Sequence, residues 1–110
     1  MRIVFCFTGK TCKGPILELV QDYTSRIAKY APVEVIEAKA LRKQTREGVH
    51  CLLAPGGKHM RSEGLAEFIE QHLNQGTKNI FFYTGAPTGH DPQLEREVDL
   101  VLSLSSMTFN

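Results

Sequence analysis

The stretch Phe81-Phe82-Tyr83-Thr84-Gly85-Ala86-Pro87-Thr88-Gly89 decides the reading of the fold. An apolar run of β-forming residues breaks there into a glycine-rich turn. That is the pattern of a buried strand whose C-terminal end opens into a loop. In open α/β sheets, ligands bind just beyond the carboxyl ends of strands. The terminal stretch Leu102-Ser103-Leu104-Ser105-Ser106-Met107-Thr108-Phe109-Asn110 has the same character, a strand running into a small polar loop. If the two strand ends are neighbours, their loops wall one slot.

Working outward, Lys78–Tyr83 and Leu100–Leu104 are the fourth and fifth strands of a longer series. Arg2–Phe7 is the first, apolar on both faces and therefore central. Val33–Glu37 alternates, which places it at an edge with one wet face. Val49–Leu53 is the third, ending in a tight turn at Ala54-Pro55-Gly56-Gly57-Lys58. Between them lie helical patterns. Pro15–Tyr30 carries an apolar stripe of Ile16, Leu19, Val20, Tyr23, Ile27 and Tyr30. A second helix opens at Ser62, buries Leu65, Phe68, Ile69 and Leu73, and is capped by Gly76. A short third follows Asp91-Pro92, with Leu94 and Val98 as its apolar pair. Strands alternating with helices predict an α/β fold: a mostly parallel sheet of about five strands, helices on both faces. Residues 1–110 make one domain, the size that supports one core.

Composition excludes several classes. Thirteen Lys and Arg against twelve Asp and Glu leave a formal charge of +1, without the basic excess of a strong nucleic-acid binder. No apolar run approaches the roughly 20 residues of a membrane span, and the apolar start is too short for a signal peptide. Three cysteines, Cys6, Cys12 and Cys51, read as free thiols of a reducing cytoplasm. They form no C-x-x-C pair and the four histidines are scattered, so no zinc site is expected. Gly9-Lys10-Thr11 invites a phosphate-loop reading that fails on spacing, because Val4 stands where the motif needs its first glycine. The connection Ala38–Gly48, a loop or a short frayed helix, carries Lys39, Arg42, Lys43 and Arg46. A phosphate-contact loop and a solvated link are the two readings, and the link is preferred because Glu37 and Glu47 dilute the patch. Lys10, Lys58 and Arg61 are candidate phosphate contacts, although surface cations most often touch only water.

One combination of motifs is specific. Leu53-x-x-x-Gly57-Lys58, Ser62-Glu63-Gly64-Leu65-Ala66, Gly85-x-Pro87-x-Gly89 and Leu102-Ser103-Leu104-Ser105-x-Met107-Thr108-Phe109, in this order, resemble the RlmH-type SPOUT methyltransferases. These enzymes methylate a pseudouridine of 23S (large-subunit) ribosomal RNA with S-adenosylmethionine. Met1-Arg2-Ile3, Gly9-Lys10 and the helix residues Tyr23, Arg26 and Tyr30 are similar as well. The resemblance implies a sheet whose C-terminal part is tucked through a loop as a trefoil knot, an exception to unknotted topology. It implies a cytoplasmic homodimer acting on the ribosomal subunit, with no membrane and no metal. It carries the S-adenosylmethionine contacts onto Leu53, Gly85, Leu104, Ser105, Ser106, Met107, Thr108 and Phe109. It assigns no catalytic residue among the matched positions. His59 and His90, the histidines nearest the slot, could each stand in for a base and read in preference as solvated loop residues.

The sequence departs from the family pattern at four places. Ala54 stands where an acidic residue is usual, and Gly85-Ala86 where Gly-Gly is usual. The Lys43–His50 region is short. The family continues past Met-Thr-Phe with a histidine, an arginine and a final helix, whereas this sequence ends at Asn110. Two expectations follow: a piece of a longer enzyme, or a short relative. In the short relative another chain would cover the apolar surface, whose exposure costs about 25 cal/mol per Å². The functional alternative is a non-catalytic RNA- or protein-binding relative. An unrelated nucleotide-binding α/β protein is the least specific reading.

Overall fold

The computed structural model describes residues 1–8, 25, 31–39, 42–59, 62–84 and 92–103. Five strands and two helices are described: β1 (Arg2–Thr8), β2 (Val33–Ala38), β3 (Val49–His59), α1 (Ser62–Asn74), β4 (Asn79–Thr84), α2 (Pro92–Glu97) and β5 (Leu100–Ser103). The strands form one sheet in the order β2-β1-β4-β3-β5, and every pairing is parallel. The expected α/β architecture is therefore present, with β2 at an edge and β1 inside. Of the expected helix over 15–30 only Ser25 is described, and it is helical. The expected knot turns on residues 104–110, which lie outside the described residues. No helix among the described residues is long and apolar enough to cross a membrane.

Parallel register lines up side chains in rows, and alternation sends the rows to opposite faces. One face carries Ile3, Phe5, Phe7, Cys51, Ile80, Phe82 and Leu102. Leu65 and Ile69 of α1, one helical turn apart, pack onto it with Phe68 beside them. Phe5 and Phe82 stack there at 5.4 Å. Leu73, expected in the same stripe, is 36% exposed: it sits in the last turn, where the helix leaves the sheet. The exit has two bonds: Thr77 N–H donates to His72 C=O (3.0 Å) and Gly76 N–H to Leu73 C=O (3.2 Å). This reciprocal pair requires the left-handed φ of +78° that Gly76 adopts without side-chain strain.

The other face carries Val4, Cys6, Leu52, Ala54, Phe81 and Tyr83, with Leu94 of α2 packed onto it and Val98 beside them. The helices thus lie on both faces. Asp99 pins the start of β5 against β3. Its N–H donates to His50 C=O and its carboxylate accepts from His50 N–H, both at 2.8 Å. That contact sets the register in which Cys51 meets Leu100.

One element differs from expectation. β3 does not stop at Leu53 but continues to His59. Leu53 and Lys58 both face Leu102, so residues 54–57 bulge out of the ladder before pairing resumes. Pro55 brings no backbone donor to that bulge. Gly57 passes so close to β5 that a Cβ there would lie 2.7 Å from the Val101 carbonyl. A turn-like composition is here the composition of an irregular strand.

Candidate functional site

Because all strands are parallel, their carboxyl ends share one rim of the sheet. Register places Leu53 opposite Thr84 on one side and opposite Leu102 on the other. Thr84 at the end of β4, Leu102 one residue before the end of β5 and Leu53 at the start of the β3 bulge therefore form a single row. At about 4.8 Å between strands the row is about 10 Å wide. The ends of β4 and β5 are not direct neighbours; β3 runs between them, so the segments after Leu53, Tyr83 and Ser103 leave from adjacent strands. The slot has three walls in a line, the middle one being the bulge.

Of the expected cofactor contacts, Leu53 lies in this row, half-buried against the α1-side core. Gly85 and Leu104 are the residues that follow Thr84 and Ser103 in the sequence. Gly85, Leu104, Ser105, Ser106, Met107, Thr108 and Phe109 lie outside the described residues, as do Lys10, Arg61 and His90. Ala54, where the family pattern has an acid, is buried in the apolar cluster with Leu52 and Tyr83. No charge enters the slot from that position. Lys58 is exposed where β3 rejoins β5.

The largest feature that sequence reasoning missed lies on one face of the sheet, between its two rims. Register aligns Glu34, Val4, Phe81 and His50 in one row, and Ile36, Cys6, Tyr83 and Leu52 in the next. The 42–48 connection lies across these rows. Arg46 forms a two-pronged ion pair with Glu34, at 3.0 and 3.3 Å, and stands over the Phe81 ring at 5.2 Å. Arg2 adds a longer contact to Glu34 at 3.6 Å. Arg46 holds the Glu34 carboxyl below the usual carboxylate range. Gln44 N–H donates to the Tyr83 hydroxyl at 2.9 Å, and that hydroxyl lies 2.8 Å from His50 Nδ1. His50 stacks flat on Phe81, with centroids 4.5 Å apart.

Proton positions in this cluster follow from its chemistry. Burial pushes Tyr83 up to about 12, so the phenol keeps its proton. Burial, followed by the positive charge of Lys43, pushes His50 down, so the imidazole stays neutral. A hydroxyl that accepts from Gln44 is free to donate to Nδ1, which leaves the ring proton on Nε2. The cluster is thus a satisfied network, sealed beneath the connection. It clamps the connection and does not present a base to the rim. The thiols are equally withdrawn: burial pushes Cys6 up to about 11 and Cys51 up to about 12. They lie on opposite faces and are unbridged. Among the described residues no three His, Cys, Asp or Glu gather as a metal site.

Comparison with known proteins gives this rim a context. A family model described as "Predicted SPOUT methyltransferase" matches residues 1–110. A protein of Coprothermobacter proteolyticus named ribosomal RNA large subunit methyltransferase H is 36% identical over 112 residues. The match covers 99% of this chain and 81% of that relative. Proteins of the same name from Desulfotalea psychrophila and Citrifermentans bemidjiense are 35% and 29% identical, over 126 and 125 residues. These matches cover 99% and 98% of this chain and 82% and 81% of the relatives.

Proposed function

Since the chain belongs to the SPOUT methyltransferase family, we propose that it transfers a methyl group from S-adenosylmethionine to a pseudouridine of large-subunit ribosomal RNA. The observation that carries this reading is the alignment of Leu53, Thr84 and Leu102 in one row at the carboxyl rim. The names of the relatives support the choice of substrate.

The donor supplies an electrophilic methyl on a sulfonium. This chain's part is to bind and orient. Leu53 offers an apolar wall at the rim, and the bulge at 54–57 interrupts the ladder in the middle of the row. A thin apolar slot edged by backbone groups suits an adenosine. Gly85 and Leu104–Phe109 are assigned the remaining contacts by motif. Gly85 lets the backbone come close because it lacks a side chain. Alignment of donor and acceptor is worth up to about 7–11 kcal/mol in favourable cases. We assign the work as that of a cytoplasmic homodimer with the donor held in a trefoil knot, as the family pattern implies.

Calorimetric titration with S-adenosylhomocysteine tests the binding half of this reading. We expect saturable heat with the wild type and its loss in Gly85→Trp. Label transfer from methyl-tritiated donor to unmethylated large subunits tests the other half. Absence of both heat and transfer would overturn the reading.

A further inference from the structure

The 39–46 connection, described at residues 39 and 42–46, has a feature that the sequence alone disguised. Its four cations seemed offset by Glu37 and Glu47. The fold separates Glu37 from Arg42, Lys43 and Arg46. Glu37 pairs in register with Phe7, which turns it to the face opposite the one Arg46 lies over. Glu47 pairs with Lys78 at 3.3 Å. Arg46 is spent on Glu34. What remains is Lys39, Arg42 and Lys43, all exposed, and none of them forms an ion pair among the described residues.

Their position is fixed at both ends. Ala38 pairs with Thr8, one step past the Phe7–Thr84 pair, so Lys39 follows directly from the carboxyl rim. The chain is then tied down on the face of the sheet, where Gln44 N–H meets the Tyr83 hydroxyl that also reaches His50, the second residue of β3. Arg42 and Lys43 immediately precede that tie. Lys43 is close enough to His50 for its charge to act on the ring. Lys39 thus stands at the carboxyl rim, two strands from β4, or about 10 Å, and Arg42 and Lys43 lead from there to the tie over Tyr83 and His50 on the face of the sheet. Lys58 is exposed on the other side of the same row.

We propose that this connection is a phosphate-binding arm: Lys39, Arg42 and Lys43 grip the RNA backbone and present the target nucleotide to the slot. The inference rests on the reading of the chain as an RNA methyltransferase. The Arg46–Glu34 pair and the Gln44–Tyr83 bond are its hinge pins, holding the cations without spending them.

Binding of a fluorescein-labelled stem-loop RNA from large-subunit ribosomal RNA, followed by anisotropy across a salt series, tests the arm. In the triple variant Lys39→Gln, Arg42→Gln, Lys43→Gln we expect affinity at low salt to fall about tenfold or more, and the slope of log K against log salt to flatten by about 2, one phosphate per cation. S-adenosylhomocysteine binding and Tm stay at wild-type values. The charge-keeping variant Arg42→Lys, Lys43→Arg retains most of the RNA affinity. Unchanged RNA affinity and slope in a triple variant that still binds S-adenosylhomocysteine would overturn the arm alone. A wild type that binds neither the RNA nor S-adenosylhomocysteine would overturn the parent reading with it. Poly-glutamate bound as tightly as the RNA, and lost equally in the triple variant, would overturn the assignment to RNA.

Discussion

Among the described residues, the two faces of the sheet are sealed in different ways. One is closed by α1, whose Leu65 and Ile69 sit on an uninterrupted apolar surface from Ile3 to Leu102. The other is closed partly by α2 and partly by a connection with no regular structure, through Arg46, Gln44, His50 and Tyr83. The first seal is hydrophobic and without direction. The second depends on a few hydrogen bonds and charges, each of which must find its partner. A short connection without an apolar stripe can still cover a sheet if the sheet offers it polar anchors. Lys39, Arg42 and Lys43, beside these anchors, form no ion pair among the described residues.

The contrast breaks most sharply on the α1 side. Phe82, 2% exposed and stacked on Phe5, should cost about 3–5 kcal/mol on change to Ala, because the cavity is walled by rigid strands. Urea denaturation reads this directly. On the polar side, Tyr83→Phe keeps the ring and removes only the hydroxyl. It strands the Gln44 N–H and His50 Nδ1, and should cost about 1–3 kcal/mol by the same measurement. A loss as large as that of Phe82→Ala would mean that the two faces are sealed alike. Arg46→Met should cost less than Tyr83→Phe, since its pair with Glu34 is half in water. Its effect should shrink further at high salt.

The smallest effect is a pH dependence. His50 is held neutral in the fold, so the unfolded chain binds a proton more readily. Its contribution to stability is complete above about pH 6.5 and declines as the pH falls below that value. Glu34, held down by Arg46, adds a separate loss only in the carboxylate range. Tm should therefore fall with acidification from about pH 6.5. The slope above the carboxylate range should flatten in His50→Phe, which keeps the stacking on Phe81.

What the sequence made legible follows this same division. The runs around Ile3 and Phe82 announce strands because apolar β-formers have few other places to go. Leu65, Phe68 and Ile69 announce a helix by their spacing. Gly76 announces its end, because the closing turn needs a left-handed residue there. The continuation of β3 to His59 was hidden, since Pro55-Gly56-Gly57 has turn composition and only the approach of Val101 makes it strand. The clamp was hidden for another reason. Tyr83 and Gln44 are 39 residues apart, and nothing local marks either as a partner. The order of strands, on which the row of Leu53, Thr84 and Leu102 depends, is also a product of tertiary pairing. The motifs named the loops; the register aligned the strand ends from which they leave.

The central claim is that the carboxyl rim of β4, β3 and β5 holds the methyl donor. Backbone amide NMR during titration with S-adenosylhomocysteine tests it most directly. The account predicts the largest shifts at Leu53, Thr84, Leu102 and Ser103, with little change at Arg2, Val33, Val49 and Asn79 on the opposite rim. Shifts concentrated on that opposite rim, or saturation without any shift in the Leu53 row, would contradict it.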